Sequence, residues 1–576
     1  MRFITITFLF ISTIILAQKN TEYKTFFEKG NGNQSANYQE IISYYNLLDA
    51  NFSTIKMETM GLTDSGEPLH IVTFNPDKNF DFKKIQNNKA TIFINNGIHA
   101  GEPDGIDATM QLFRDLALGK INIPKNTILV TIPIYNIGGV LNRNATSRAN
   151  QNGPEEYGFR GNARNFDLNR DFIKSDTKNT KSFVEIFHKI NPEIFIDNHV
   201  SNGADYQYTL TYIQTQHNKL GQPLGDFLQN KMTPEIVNIL NAKNVETSPY
   251  VNIWNTTPDK GFAQYFESPR YATGYASLFN TIGYVVETHM LKDYKSRVKA
   301  TYDFMVSTLQ YVDNNMQLIK NLRVENATKF QPKNKYTLQW KLDSTEVKKI
   351  KFLGYEGNFK KSEVTTGNRL FYDKNKPFER EIDYYPSYKS VKEVVIPKAY
   401  VVPKSEWTVL TLLKSNNCKF KILKKDTLIA VESYKILDFK TGTSAYEGHY
   451  NHSNTMVSRT LQKIMFYKGD YLFSTSQLAV KYLLETLEPE AVDSFFNWNF
   501  FDTILQQKEG YSDYVFEDLA ATFLKENPKI KSVFDEKIKL DSKFASNPEA
   551  QLDWVYKNSP YYEKAHLQYP VYRILD

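Results

Sequence analysis

Residues able to do metal or proton chemistry fall at three widely separated places. His99 and Glu102 stand three residues apart in Asn95-Asn-Gly-Ile-His-Ala-Gly-Glu102, 96 residues lie between Glu102 and His199, and Glu287 ends the apolar run Tyr284-Val-Val-Glu287. Two imidazoles and a carboxylate are the donor set of catalytic zinc sites that leave one position for water. The only cysteine is Cys418, which excludes a multi-cysteine metal site and an internal disulfide. Any metal therefore falls to the nine histidines and to carboxylates. Taken alone, His-x-x-Glu is a weak signal, because a glutamate in a first helical turn also suits the helix dipole. The joint pattern carries the reading. The apolar approach to Glu287 would partly desolvate it and raise its pKa toward the range useful for proton transfer. Its competing role is an ion pair with Lys292 or Arg297. His289, two residues on, either orients a neighbour or packs in the core.

The segment Arg160-Gly-Asn-Ala-Arg164-Asn-Phe-Asp-Leu-Asn169-Arg170-Asp-Phe172 holds three arginines within eleven residues. Guanidinium forks bind carboxylates bidentately, and a positioned arginine stabilises a developing oxyanion. The alternative is a solvated basic loop, although the segment has no helical face.

The elements that must position these residues alternate. A helix is expected over 36–60 and a turn over 63–67, followed by strands over 69–74 and 91–94. A helix over 105–118 and a strand over 127–135 come next, then a helix over 180–190 and a strand over 194–197. A strand over 283–286 feeds a helix over 294–318. Short strands without polar alternation suit a sheet buried on both faces, so an α/β fold is expected, with a mixed, mostly buried sheet flanked by helices. In such sheets ligands bind beyond the carboxyl ends of the strands. His99 and Glu102, His199, and Glu287 each follow or end a strand, and the arginine-rich loop follows another.

Length and composition set the frame. At 576 residues, 41% hydrophobic and 23% charged, the chain is an ordinary globular protein of several domains. A net charge of +6 over this length leaves no electrostatic footprint for nucleic acid. Met1-Arg2, the apolar run to Ala17 and a polar Gln-Lys-Asn fit a cleaved export signal, too short to span a bilayer as a helix. The expected organisation is a signal over 1–17, a catalytic domain over 18–325, a β-rich accessory region over 326–400 and a mixed α/β C-terminal region over 401–576. The expected product is an exported protein, periplasmic or extracellular, without stable membrane insertion. Its oligomeric state is unassigned.

The set resembles the zinc metallocarboxypeptidases of the carboxypeptidase A/B and N/E group. Their order is His-x-x-Glu, a loop ending in Gly-Val-Asp-Leu-Asn-Arg-Asn-Phe, a third ligand histidine and a general-base glutamate. Here Asn165–Phe172 matches the loop motif, and the resemblance covers roughly residues 35–320. It implies one zinc ion per chain on His99, Glu102 and His199, and hydrolysis of peptide bonds near a peptide's C-terminus by zinc-bound water, with Glu287 as base. It also implies that Arg160, ten residues before Arg170, polarises the scissile carbonyl. Asn169 and Arg170 would bind the terminal carboxylate. For the family's substrate-binding tyrosine, Tyr265, Tyr271 and Tyr275 all qualify, with Tyr275 and Tyr271 ranked ahead. Two departures stand out. Asn136-Ile-Gly-Gly139 replaces the usual Asn-Pro-Asp-Gly, and Asp171 replaces a common asparagine, which puts an expected negative charge beside Arg170. Two other functions stay open: a zinc amidohydrolase acting on N-acyl amino acids, and a non-catalytic peptide or carbohydrate binder.

Overall fold

The computed structural model describes residues 23–576, so the expected signal lies outside the described residues. The helix expected over 36–60 is two elements. A helix capped by Asn37 covers Tyr38–Asn51, and strand β1 (Ile55–Leu62) follows. Ile55 is the only fully buried residue of β1, so the strand's period-2 signal is faint and its methionines mimic a helical stripe.

Eight strands form the main sheet. β1 is followed by β2 (Pro68–Phe74), β3 (Ala90–Asn96), β4 (Thr127–Ile132), β5 (Ile194–Ser201), β6 (Leu210–Gln214) and β7 (Thr247–Pro249). The short β8 (Phe262–Ala263) pairs elsewhere, and β9 (Ile282–His289) returns to the sheet, whose order is β1-β2-β4-β3-β5-β9-β6-β7. The central four, β4-β3-β5-β9, are mutually parallel, with antiparallel strands on both sides. Every residue of β3, β4 and β5 is buried, as required of strands covered on both faces. Helices Asp104–Ala117, Lys178–Ile190 and the 34-residue Tyr294–Ala327 supply the cover. The mixed α/β sheet flanked by helices is the expected fold.

Arg297, fully buried on the long helix, pairs with Asp104 at 2.8 Å and donates to four backbone carbonyls, among them Asn152 and Gly153. It therefore ties the base of the helix after β3 to the loop after β4. This arginine is engaged away from Glu287.

Beyond residue 330 the chain builds two further layers. Strands β10 (Lys335–Leu342) and β13 (Tyr388–Val395) pair, and between them β11 (Lys348–Lys361) and β12 (Asn368–Tyr385) form a long hairpin that captures β8. A six-stranded sheet follows, made of β14 (Ala399–Val402), β15 (Lys421–Ile422), β16 (Thr427–Thr441), β17 (His452–Phe466), β18 (Tyr471–Ser474) and β19 (Gln568–Ile574). Its helix Val480–Leu487 is buried throughout. Lys481 donates to the carbonyls of Leu220 and Ser277, and Glu485 accepts from Lys219 and Tyr336. Four helices between Asp513 and Lys557 precede β19. No helix among the described residues is long and apolar enough to cross a membrane.

Candidate active site

The carboxyl ends of the parallel strands deliver the chemistry-bearing residues to one edge. β3 runs into the turn that carries His99 and Glu102, just ahead of the helix that starts at Asp104. On β5, Asp197 and His199 lie two apart and share a face, and His199 stands in register with Glu287 on β9. Nδ1 of His99 lies 3.2 Å from one oxygen of Glu102, and Nδ1 of His199 lies 3.2 Å from the other. All three residues are buried, and one donor atom from each falls within 4.8 Å of the others.

The far ring nitrogens each face a carboxylate. Nε2 of His99 is 3.0 Å from Asp167, and Nε2 of His199 is 2.9 Å from Asp197. Arg160 Nη1, a donor only, lies 3.3 Å from Nδ1 of His99, so that contact is a hydrogen bond in the tautomer with the ring proton on Nε2. Carboxylate-backed imidazoles with their Nδ1 atoms facing a shared carboxylate are the arrangement metal-binding histidines adopt. Bonds of about 2.0–2.1 Å in a tetrahedron separate zinc ligands by roughly 3.3 Å, close to the 3.2 Å between each Nδ1 and its own Glu102 oxygen. The three residues fit a zinc ion.

Burial alone would raise the pKa of Glu102, but Arg148, 2.6 Å away, and the two histidines hold it well below the usual carboxylate range. Burial would likewise lower the pKa of His199, yet Asp197 and Glu102 raise it well above the ordinary value. Glu287 has the opposite fate. Burial first, opposed by His199 and reinforced by Glu102 and Glu267, lifts its carboxyl to about 8. Its Oε2 is buried without a hydrogen-bond partner among the described residues, and no ion pair to Lys292 or Arg297 forms.

These residues border a cavity of about 640 Å³ that also takes in Arg148, Arg160, Asn169, Arg170, Tyr265, Glu267 and Tyr271. Asn169 is held by Ala272, whose N–H donates to Oδ1, and the Arg170 guanidinium lies 4.4 Å from the centre of the Tyr271 ring. Tyr265 donates to the Tyr271 hydroxyl at 2.9 Å. Tyr275 is not brought to the site. Its ring is fully buried against Phe172 and Phe187, and its hydroxyl donates to Asn416. The expected charge of Asp171 against Arg170 does not arise either. Asp171 is fully buried, pairs with Lys174 at 2.8 Å and caps Thr177 through both its N–H and its hydroxyl. His289 bonds Asp205, away from the three metal-competent residues.

A sequence model of the family described as zinc carboxypeptidase matches residues 41–335, just over half of the chain. The chain belongs to the zinc carboxypeptidase family. It is a metallocarboxypeptidase, a hydrolase of a zinc-dependent family. Carboxypeptidase 2 of Trichophyton equinum is 20% identical over 434 residues, covering 72% of this chain and 74% of the relative. Carboxypeptidase 2 of Trichophyton rubrum is 20% identical over 430 residues, 71% and 73% of the two chains. Among solved structures, the carboxypeptidase A from Helicoverpa armigera is 11% identical with a TM-score of 0.37, covering 50% of this chain and 75% of that one.

Sequence reasoning about this carboxypeptidase missed four residues that shape the site. Asp197 was findable, since position i−2 on a strand shares the face of His199. Asp167 lay inside the quoted loop motif, with no local sign that it would turn to His99. Arg148 and Glu267 carry no motif, and only the fold brings them in.

The elevated Glu287 carboxyl has a consequence for stability. Its folded value of about 8 lies above the ordinary carboxylate value, so its contribution is full below that ordinary value and is lost as pH rises through about 8. In the metal-free carboxypeptidase, Glu287→Gln is expected to melt with the unsubstituted protein at pH 4 and several degrees above it at pH 9. Equal melting temperatures at pH 9 would count against a buried, neutral Glu287.

Proposed function

We propose that this carboxypeptidase is exported and removes residues from the C-terminus of peptides, with zinc held by His99, Glu102 and His199. The observation that carries this reading is the convergence of Glu287, Arg160 and Arg170 on the cavity that the three metal-competent residues border. Bound there, zinc supplies Lewis-acid chemistry, polarising a carbonyl and acidifying a water.

The chain's own residues do the rest. The Arg170 guanidinium, stacked on Tyr271, and the Asn169 amide take the substrate's terminal carboxylate. Arg160, whose Nε and Nη2 both donate to one Asp167 oxygen at 3.1 and 2.8 Å, holds Nη1 3.3 Å from Nδ1 of His99. Once that nitrogen's lone pair is taken up by a metal, Nη1 would be released to donate to the scissile carbonyl oxygen as charge develops on it. Glu287 takes a proton from the attacking water and returns it to the leaving amine. A dication beside this carboxyl lowers its pKa from the metal-free value, toward the range a general base needs. Export rests on the leader-like Met1–Ala17 segment.

Glu267 shapes the choice of substrate in this reading. It is buried at the cavity wall, and Oε2 accepts from the N–H and hydroxyl of Thr273. It has no cationic partner within salt-bridge distance among the described residues. A terminal side chain carrying an amine or guanidine supplies one, so peptides ending in lysine or arginine are favoured.

Glu287→Gln is expected to lower kcat at least 10³-fold while zinc stays bound at one per chain, whereas His99→Ala loses the metal. Near-normal turnover by the first, or stoichiometric zinc in the second, refutes the assignment. Glu267→Gln is expected to cut kcat/KM for a peptide ending in lysine more than tenfold. The same change should leave its leucine counterpart within threefold, and an equal fall on both would remove Glu267 from specificity.

A further inference from the structure

Two fifteen-residue strands, β16 and β17, form an arm. At roughly 3.3 Å per residue it carries its tip on the order of 45–50 Å from the strands' far ends. The tip does not end in solvent. Residues 443–446 are exposed, but Glu447 and His449 are half-buried against the loop that carries Asp167, Asn169 and Arg170. Glu447 Oε2 accepts the backbone N–H of Asp167 at 2.8 Å. His449 Nε2 lies 2.7 Å from Asp176, at the far end of the same loop. Gly448 lies against Phe166, so that a Cβ there would stand 3.2 Å from the ring.

The local backbone is built to aim Glu447. Tyr446 and His449 exchange both backbone hydrogen bonds, at 2.8 and 3.1 Å, and the two residues between them have φ of 49° and 79°. Positive φ at both central positions is the two-residue turn in which asparagine, aspartate or glycine is preferred at the first. Glutamate there is strained relative to those residues. A side chain kept at such a position against its backbone preference points to a use for that side chain.

We propose that Glu447 is a positioning residue for the active centre, acting through Asp167 on His99. Asp167 is the hub of that linkage. One of its oxygens faces His99 Nε2 and accepts the N–H of Asn169, the other holds Arg160, and its own N–H is taken by Glu447. Fixing the Asp167 backbone fixes both carboxylate oxygens, and with them the imidazole ring and the arginine fork. The C-terminal region would thereby support a metal site whose ligands all come from β5 and the turn after β3. This rests on the zinc carboxypeptidase reading of the site.

The test compares Glu447→Ala, Glu447→Asp and Glu447→Gln in the full-length protein. Three quantities are measured for each: zinc retention against a chelator, and kcat and KM on a C-terminally free peptide. Glu447→Ala is expected to weaken zinc retention about fivefold and to lower kcat about tenfold with KM within twofold. Glutamine keeps an acceptor oxygen of the same reach, so Glu447→Gln should stay within twofold of the parent in both. Retention unchanged in Glu447→Ala, or Glu447→Gln as impaired as alanine, overturns the proposal. If the alanine variant does not fold, the shortened Glu447→Asp must show the loss that Glu447→Gln escapes, and equal behaviour of those two overturns it as well. A parent protein that holds no zinc sinks the zinc reading and this one with it. A zinc-loaded parent indifferent to residue 447 sinks this one alone.

Discussion

Charge buried at the carboxyl edge of a parallel sheet must be answered atom by atom. Removing one partner of a buried pair typically costs 3–5 kcal/mol, because the other is left uncompensated. Glu102 lies between two imidazoles, with Arg148 and the Val200 N–H on its oxygens. Each imidazole then needs an acceptor behind it, and Asp167 and Asp197 serve. Asp167 in turn requires Arg160, and burial raises Asp171 as a separate problem that Lys174 and Thr177 solve. Glu287 is left without an answering charge in contact, as is Glu267, and both carboxyls rise accordingly. A carboxylate with every oxygen engaged thus stands beside one with an orphan oxygen, and the two carboxyls shift in opposite directions.

Parallel strands make that concentration possible. β3, β5 and β9 end on the same side, so residues nearly 190 positions apart in the chain meet without any long loop. The same geometry made this part of the site legible. His99, Glu102, His199 and Glu287 each follow or end an apolar run, and the sheet's direction converts that shared sequence position into a shared place. Asp171 was misjudged for a related reason. Sequence adjacency to Arg170 says nothing about direction, and the short helical turn at Leu168–Arg170 sends its side chain inward to Lys174. Tyr275 shows the same limit. A tyrosine three or four residues from another on a helix start reaches either cavity or core, and packing against Phe172 and Phe187 decided it.

Past residue 330 the sequence was least informative, again for physical reasons. The β11–β12 hairpin is largely exposed, so it carries little of the hydrophobic alternation that marks a strand. The β16–β17 arm alternates better, but nothing in its local sequence reveals that its tip meets a loop some 280 residues earlier. Pairings of that range belong to the fold and not to any window of residues.

The loop from Asn165 to Asp176 shows why the chain extends so far. Apart from one three-residue helical turn it has no regular structure, and Asn165 and Ser175, near its two ends, have positive φ. A loop with few backbone bonds of its own takes its order from what packs on it. On one side is the catalytic sheet. On the other stand Trp498, fully buried, with the Lys174 ammonium 5.3 Å from its ring and the Arg270 guanidinium 4.8 Å from it, and the hairpin tip. Arg270 closes the frame by pairing with buried Asp493, so the segment that carries Tyr265, Glu267 and Tyr271 is tied to the same C-terminal elements. Both walls of the cavity thus lean on residues beyond 440. Cutting the chain after the long helix would leave every metal-competent residue in place, yet it would free the loop and the segment that orient them.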